Sequence, residues 1–138
     1  MNILRFVLIG FLALISSDAM AQWTKLGNNS IGAGNDNYET IYVDYKTATK
    51  LDGKVQMWFL RSYSKYWQAP YHSVKQLLEF DCQNNRFRLL EELIFFDQMG
   101  SGRPMGGSGR NSNAGWWILN NKSDTMKFNA GCKSLTKK

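Results

Sequence analysis

The two cysteines of this chain, Cys82 and Cys132, constrain its fold more than any other feature. Cysteines of exported proteins usually form disulfides, and two cysteines allow only one intramolecular pairing. The alternatives are a redox pair, but the chain has no C-x-x-C spacing, and a zinc site, for which His72 leaves too few ligands. The sequence therefore predicts a structural disulfide that closes a loop of about 50 residues and contributes about 4 kcal/mol.

The first residues have the three parts of a secretory signal peptide. Arg5 supplies the positive charge, residues 6–15 form an apolar run, and the Ala-Met-Ala of residues 19–21 is a cleavage site. A membrane anchor is the alternative, but the apolar run is about half of the ~20 residues that span a bilayer. We therefore expect cleavage after Ala21, export to the periplasm or the outer cell surface, and one domain over 22–138 without a membrane span.

The charge balance is basic, with 17 Lys and Arg against 11 Asp and Glu and a net charge of +6. Such an excess favours anionic partners. For an exported protein these partners are acidic glycans, lipid surfaces or other proteins rather than nucleic acid. We therefore expect an anionic glycan or lipid surface among the partners, and no nucleic acid.

A β-hairpin is predicted in the first half of the chain. Residues 41–45 and 55–60 alternate with a period of two, which is typical of half-buried strands. Asp52 and Gly53 lie between them and form a strong hairpin signal. The two segments are therefore predicted to form an antiparallel pair of strands.

A second hairpin follows. Residues 74–82 alternate in the same way, and the Asn-Asn pair of residues 84–85 suits a tight turn. Residues 87–96 are then the return strand. The good helix formers of residues 89–93 favour a helix instead, but the preceding turn and the aromatic pair that follows favour the strand.

The remaining segments complete an α+β, mostly β fold. Residues 23–26 suit a short first strand, 27–37 a polar loop, 100–115 a flexible glycine-rich insert and 116–119 a last strand. Ser123 is a plausible N-cap of a short C-terminal helix. We expect one antiparallel sheet of about five or six strands, with this helix tied to it by the disulfide.

The connector between the two hairpins is rich in aromatic side chains. Tyr63, Tyr66, Trp67 and Tyr71 lie among polar residues, and His72 follows them. Tyrosine and tryptophan are enriched at binding hot spots, and loops on rigid scaffolds often carry function. The alternative is that the connector folds back over the sheet and covers the core. These five residues are candidate binding residues.

The glycine-rich insert carries two further candidates, Arg103 and Arg110. A phosphate-binding loop would end in Gly-Lys-Ser/Thr and open a helix, and this insert does neither. A mobile hairpin loop is the simpler reading, and the two arginines remain candidate anion contacts.

Catalytic patterns are weak in this sequence. A Ser-His-Asp arrangement would have to use His72, and no serine has the glycines of a nucleophile elbow. Glu91 and Glu92 are adjacent in a predicted strand, so their side chains point to opposite faces and cannot act as a pair across a cleft. We expect neither an enzyme nor a metal site.

Several short motifs, in their order along the chain, resemble one known family. They are Trp23, Tyr42-x-Asp44, Val55-x-Met57-Trp58, Asp81-Cys82, Gly100, Trp116, Ser123 and Cys132. In this order they are similar to the surface-adhesin protein E family of Gram-negative bacteria. The resemblance covers nearly the whole of residues 22–138.

The resemblance implies an exported, non-catalytic surface protein with an antiparallel sheet and a C-terminal helix. Its best-known member binds the matrix proteins vitronectin and laminin, can bind haem and can dimerise. A host matrix protein is thus an implied partner, a homodimer an implied assembly, and haem the only implied cofactor. Haem would need an axial His, Met or Tyr, for which Tyr66, Tyr71 and His72 lie in the connector.

Three functional hypotheses follow. The first is an exported adhesin-like protein that recognises a matrix protein or an anionic surface polymer through the connector and the basic loops. The second is a periplasmic structural or interaction protein of the cell envelope, and the third is a small periplasmic hydrolase. Loss of binding in connector variants would support the first, whereas turnover abolished by a carboxylate or His72 substitution would support the third.

Overall fold

A computed structural model describes residues 21–32 and 34–133, so the predicted signal segment lies outside the described residues apart from Ala21. These residues form one antiparallel sheet, one helix and a single 3₁₀ turn at Gln98–Gly100. The strands and helix are β1 Thr24–Ser30, β2 Tyr38–Leu51, β3 Lys54–Tyr63, β4 Ser73–Asp81, β5 Arg86–Phe95, β6 Pro104–Ser108, β7 Trp117–Ile118 and α1 Lys122–Cys132.

The strands from β1 to β6 lie side by side in chain order, and β7 pairs with β5 beside β6. Each strand from β2 to β6 is therefore antiparallel to the one before it, and β7 is antiparallel to β5. The expected α+β, mostly β fold with one antiparallel sheet and a C-terminal helix is confirmed. Within the described part of the chain, no helix is both long enough and apolar enough to cross a membrane.

Both predicted hairpins are confirmed. Asp52 and Gly53 join β2 to β3 with φ values of 53° and 73°, the two positive angles that a type I′ turn needs. Asn85 has a φ of 49° in the turn between β4 and β5. Since residues 86–95 are extended throughout, the helix alternative for residues 89–93 is wrong.

Three local expectations need correction. β1 continues to Ser30, so the polar loop after it is shorter than predicted. The glycine-rich insert is not one continuous loop, because its residues 104–108 form β6 against β5. The N-cap of α1 is Asn121, whose Oδ1 accepts a hydrogen bond from the backbone N–H of Asp124 at 2.9 Å. Ser123 lies buried within the helix instead.

The hydrophobic core lies between α1 and one face of the sheet, which we call the helix face. Phe80 is fully buried at its centre, and its ring lies 5.6 Å from that of Phe59, 6.2 Å from that of Phe87 and 5.9 Å from that of Phe128 on α1. A Cβ atom on Gly131 would lie 2.6 Å from the Phe80 ring. The glycine thus allows the helix to approach the sheet closely.

The predicted disulfide is confirmed. Cys82 follows β4 and Cys132 is the last residue of α1, and their Cα atoms lie 5.6 Å apart. The bond therefore fixes the end of the helix to the end of the fourth strand, beside the aromatic core.

Replacing both cysteines by serine should lower the free energy of unfolding by about 4 kcal/mol, because the unfolded chain loses a cross-link across about 50 residues. Urea unfolding followed by circular dichroism measures this change. Reductant should destabilise the wild-type protein by a similar amount and leave the double serine variant unaffected. Equal unfolding of all four samples would contradict a stabilising role for the disulfide.

Candidate binding surface

The face of the sheet opposite α1, which we call the open face, carries the side chains that alternate with those of the core. Tyr42, Leu60, Lys75 and Leu93 are cross-strand neighbours in one row from β2 to β5, and such neighbours lie on the same face. Turns and loops cover this face only in part, for example where Gly100 lies against Leu60. The clefts between them are candidate binding sites.

One cavity of about 400 Å³ lies at the β2–β3 end of the open face, and we call it the tyrosine pocket. Tyr38 on β2 is 41% exposed, Tyr66 in the connector is 53% exposed, and Met99 in the 3₁₀ turn is 38% exposed. Tyr42 and Lys65 also line the pocket, and the Nζ atom of Lys65 lies 4.9 Å from the centre of the Tyr66 ring. The pocket offers a partner phenol rings, a thioether and one ammonium group.

Backbone hydrogen bonds fix the three chain segments that form this pocket. The N–H of Ser64 donates to the carbonyl oxygen of Tyr38 at 2.9 Å, and its hydroxyl donates to the carbonyl oxygen of Asp36 at 2.8 Å. The N–H of Met99, a residue with a φ of 61°, donates to the hydroxyl oxygen of Ser62 at 3.1 Å. The exposed side chains are therefore held on a hydrogen-bonded frame.

Residues 23–133 match the family model described as surface-adhesin protein E, which is most of the chain. The chain belongs to the surface-adhesin protein E family. Comparisons with curated proteins and with solved structures gave no match. Family membership confirms the resemblance found in the sequence motifs and supports an adhesin-like surface protein.

The aromatic connector of this adhesin-family protein is divided between two places. Tyr66 and Tyr63 both line the tyrosine pocket, but Tyr66 is exposed, whereas the buried ring of Tyr63 stacks on that of Trp67 at 4.9 Å. Tyr71 lies edge-on to Tyr63 at 5.7 Å. Burial raises the pKa of Tyr63 to about 12, so its phenol stays neutral at physiological pH. The Tyr63, Trp67 and Tyr71 rings thus form a packed cluster, and Tyr66 is the connector ring that faces solvent most.

His72 interacts with the backbone rather than with a catalytic partner. Its Nδ1 atom lies 3.1 Å from the carbonyl oxygen of Phe96, and the hydroxyl of the adjacent Ser73 donates to the carbonyl oxygen of Asp97. The tyrosine pocket contains Tyr66 but neither His72 nor Tyr71. The tyrosine pocket therefore does not bring the three implied haem ligands together. Among the described residues no cluster of His, Cys, Asp and Glu could hold a metal ion.

The two arginines of the glycine-rich insert lie beyond opposite ends of β6. Arg103 is exposed just before this strand, whereas Arg110 reaches across the open face and donates from Nη2 to Oε1 of Gln56 at 2.7 Å. The ring of Trp116 lies 4.6 Å from the Arg86 guanidinium and 4.5 Å from that of Arg88. The second half of the insert is thus largely exposed but hydrogen-bonded to the sheet through Arg110, and Arg103 lies at the other end of β6.

Sequence-based prediction missed Tyr38, Lys65 and Met99 as members of a candidate site. A period of two places Tyr38 on the same face as Tyr42, so the strand pattern contained a signal for one of them. No sequence signal relates Met99 to this strand, because the two meet only through tertiary structure.

Polar and charged groups are buried on the helix face of the sheet and on α1. Glu39 is 1% exposed, and its Oε2 atom accepts from Nε of Arg61 at 2.7 Å. Its Oε1 atom accepts from Nδ2 of Asn29 at 3.1 Å. Burial, and after it the charge of Arg61, lowers the pKa of Lys127 on α1 to about 8. The helix therefore buries an ammonium group whose charge is disfavoured there.

Replacing Lys127 by methionine should raise the free energy of unfolding at pH 7 by up to about 3 kcal/mol, because the folded protein no longer buries this charge. Below pH 8 the lysine is protonated in both states, so its full burial cost is present. Between pH 8 and 10.5 the folded protein has released the proton that the unfolded chain still binds. The free energy of unfolding of the wild type therefore rises with pH relative to that of the variant.

Urea unfolding from pH 7 to 10.5 measures this difference. Lys122→Met on the exposed part of the same helix is the control and should show little effect at any pH. A Lys127→Met effect that does not change with pH would contradict the lowered pKa.

Proposed function

We propose that this protein is an exported, non-catalytic adhesin-like binding protein that recognises a protein partner, such as a host matrix protein, through the tyrosine pocket. The observation that supports this most is the convergence of Tyr38, Tyr66 and Met99 on one cavity, although they come from three separate segments. Family membership supports adhesin-like binding in general. The tyrosine pocket is the specific surface that we propose for this binding.

The chemistry of the pocket suits a protein surface. Tyrosine buries a large apolar ring at low entropic cost and keeps a hydroxyl for hydrogen bonding. Met99 adds a side chain that adapts to irregular surfaces. The backbone hydrogen bonds of Ser64 and Met99 hold these groups in place before a partner arrives, which reduces the cost of binding.

The charge of the protein suits an acidic partner surface. The net charge of +6 increases the rate of encounter with negatively charged surfaces, and Lys65 places one of these charges at the rim of the pocket. An anionic glycan or lipid surface is therefore a second candidate ligand. Its binding would depend on the basic side chains more than on the tyrosine rings.

The proposed location follows from the same function. A protein with this role would be exported by the signal segment, cleaved after Ala21 and present at the outer cell surface as a single domain. The rival proposal places the same pocket in the periplasm, where it would bind a component of the cell envelope.

The double variant Tyr38→Ala/Tyr66→Ala should bind immobilised vitronectin or laminin at least about 30-fold more weakly than the wild type, since a central aromatic contact contributes about 2 kcal/mol or more. Surface plasmon resonance measures the affinity, and circular dichroism checks the fold. Tyr45→Ala is the matched control, because Tyr45 is 37% exposed on the same strand and does not line the pocket.

Unchanged affinity in the folded double variant would exclude the tyrosine pocket as the binding site. Binding of heparin but of neither matrix protein would favour the anionic polymer as ligand.

A further inference from the structure

A second cavity, of about 710 Å³, lies over the central strands of the open face and shares no lining residue with the tyrosine pocket. Its large apolar lining residues are Trp23, Trp58 and Leu93, and its charged residues are Lys46, Lys75 and Asp44. Cavities of roughly 300–1,000 Å³ with apolar walls and a few polar groups are typical of small-molecule sites. Its size and lining therefore suit a small ligand.

One wall of this cavity comes from the segment before the first strand. Trp23 precedes β1 at the edge of the sheet, yet its ring centre lies 5.8 Å from the Nζ atom of Lys75 on β4. The segment that carries Trp23 therefore turns over the open face. The cleft lies between the indole of Trp23 on this segment and the indole of Trp58 on β3.

Lys75 occupies an unusual place for a charged residue. It lies on the fourth of six side-by-side strands, with Leu60 and Leu93 as its cross-strand neighbours. Its Nζ atom lies 4.9 Å from the Phe95 ring, and Lys75 takes part in none of the three ion pairs found among residues 21–32 and 34–133. A Cβ atom on Gly100 would collide with Cε of Lys75. The absence of a side chain on Gly100 thus leaves room for Lys75, and no carboxylate of the described residues forms an ion pair with it.

The other charges of the cavity leave it positive. Lys46 contributes a second ammonium group, and Asp44 contributes the one carboxylate. The Oδ1 atom of Asp44 already accepts a hydrogen bond from the backbone N–H of Lys46 at 3.1 Å. A ligand that brings one negative charge would therefore balance the side chains of the two lysines and the aspartate. Gln22 also lines the cavity, so cleavage after Ala21 would add the positive charge of the new amino terminus.

We propose that this cavity binds a small amphipathic carboxylate, a molecule with an apolar body and one carboxylate group. The apolar body lies between Trp23 and Trp58, and the carboxylate accepts a charge-assisted hydrogen bond from Lys75. Such bonds are about twice as strong as neutral ones, and the indoles supply apolar area without requiring further polar contacts. This site is independent of the proposed adhesin-like function, because it uses a different cavity.

Decanoate below the concentration at which it forms micelles, and 1-decanol below its solubility limit, test this proposal on the purified wild-type protein. Decanoate should bind saturably in calorimetry and shift the indole N–H resonances of Trp23 and Trp58, while those of Trp67 and Trp116 stay in place. Decanol, which lacks the charge, should bind about tenfold more weakly. Absence of saturable decanoate binding, or equal affinity for the two compounds, would overturn the proposal without any variant being needed.

The variant Lys75→Met keeps the apolar stem and removes the charge. It should bind decanoate about tenfold more weakly than the wild type and no more tightly than decanol. Lys65→Met is the matched control, because Lys65 also lies 4.9 Å from an aromatic ring but belongs to the tyrosine pocket. Full affinity of folded Lys75→Met for decanoate would overturn the role of this lysine.

Discussion

The close contact between one short helix and one face of the sheet determines the rest of this structure. Helix α1 has 11 residues, and isolated helices of that length are marginal in water. Its stability therefore depends on tertiary contacts, namely Phe128 against Phe80, Gly131 beneath the same ring and the disulfide at Cys132. These contacts cover part of the helix face, and the binding that we propose takes place on the open face.

Charged groups also lie on the helix face of the sheet and on α1. The ion pair between Glu39 and Arg61 contributes little net free energy, because the buried carboxylate loses its hydration. Lys127 increases this cost, since burial lowers its pKa. The fold thus combines a stabilising disulfide at one end of α1 with a buried lysine further along the helix.

The parts of the fold that local chemistry determines could be predicted from the sequence. The hairpin turn at Asp52-Gly53 and the disulfide follow from residue types that allow few alternatives. β6 could not be predicted, because its glycines favour no regular structure by themselves. The carbonyl of Glu92 on β5 approaches Gly107 so closely that a side chain there would collide with it. The glycine-rich composition that indicated a flexible loop is thus also what this strand pairing requires.

The candidate site was predictable only in part for a similar reason. The sequence indicated an aromatic connector, and the structure places Tyr66 of this connector in a pocket with Tyr38 and Met99. The other rings, Tyr63, Trp67 and Tyr71, pack on each other. Residue type alone does not show which of these rings pack together and which one faces solvent. How the connector lies against β2 in the folded protein decides this.

The most direct test of the proposal that the open face binds partners outside the cell is tyrosine labelling of intact cells with a membrane-impermeant diazonium reagent. Mass spectrometry would then identify the modified residues. We expect modification of Tyr38 and Tyr66, and none of Tyr63, which is 4% exposed. Modification of Tyr38 and Tyr66 only after the outer membrane has been opened would contradict a surface adhesin and would place this face in the periplasm.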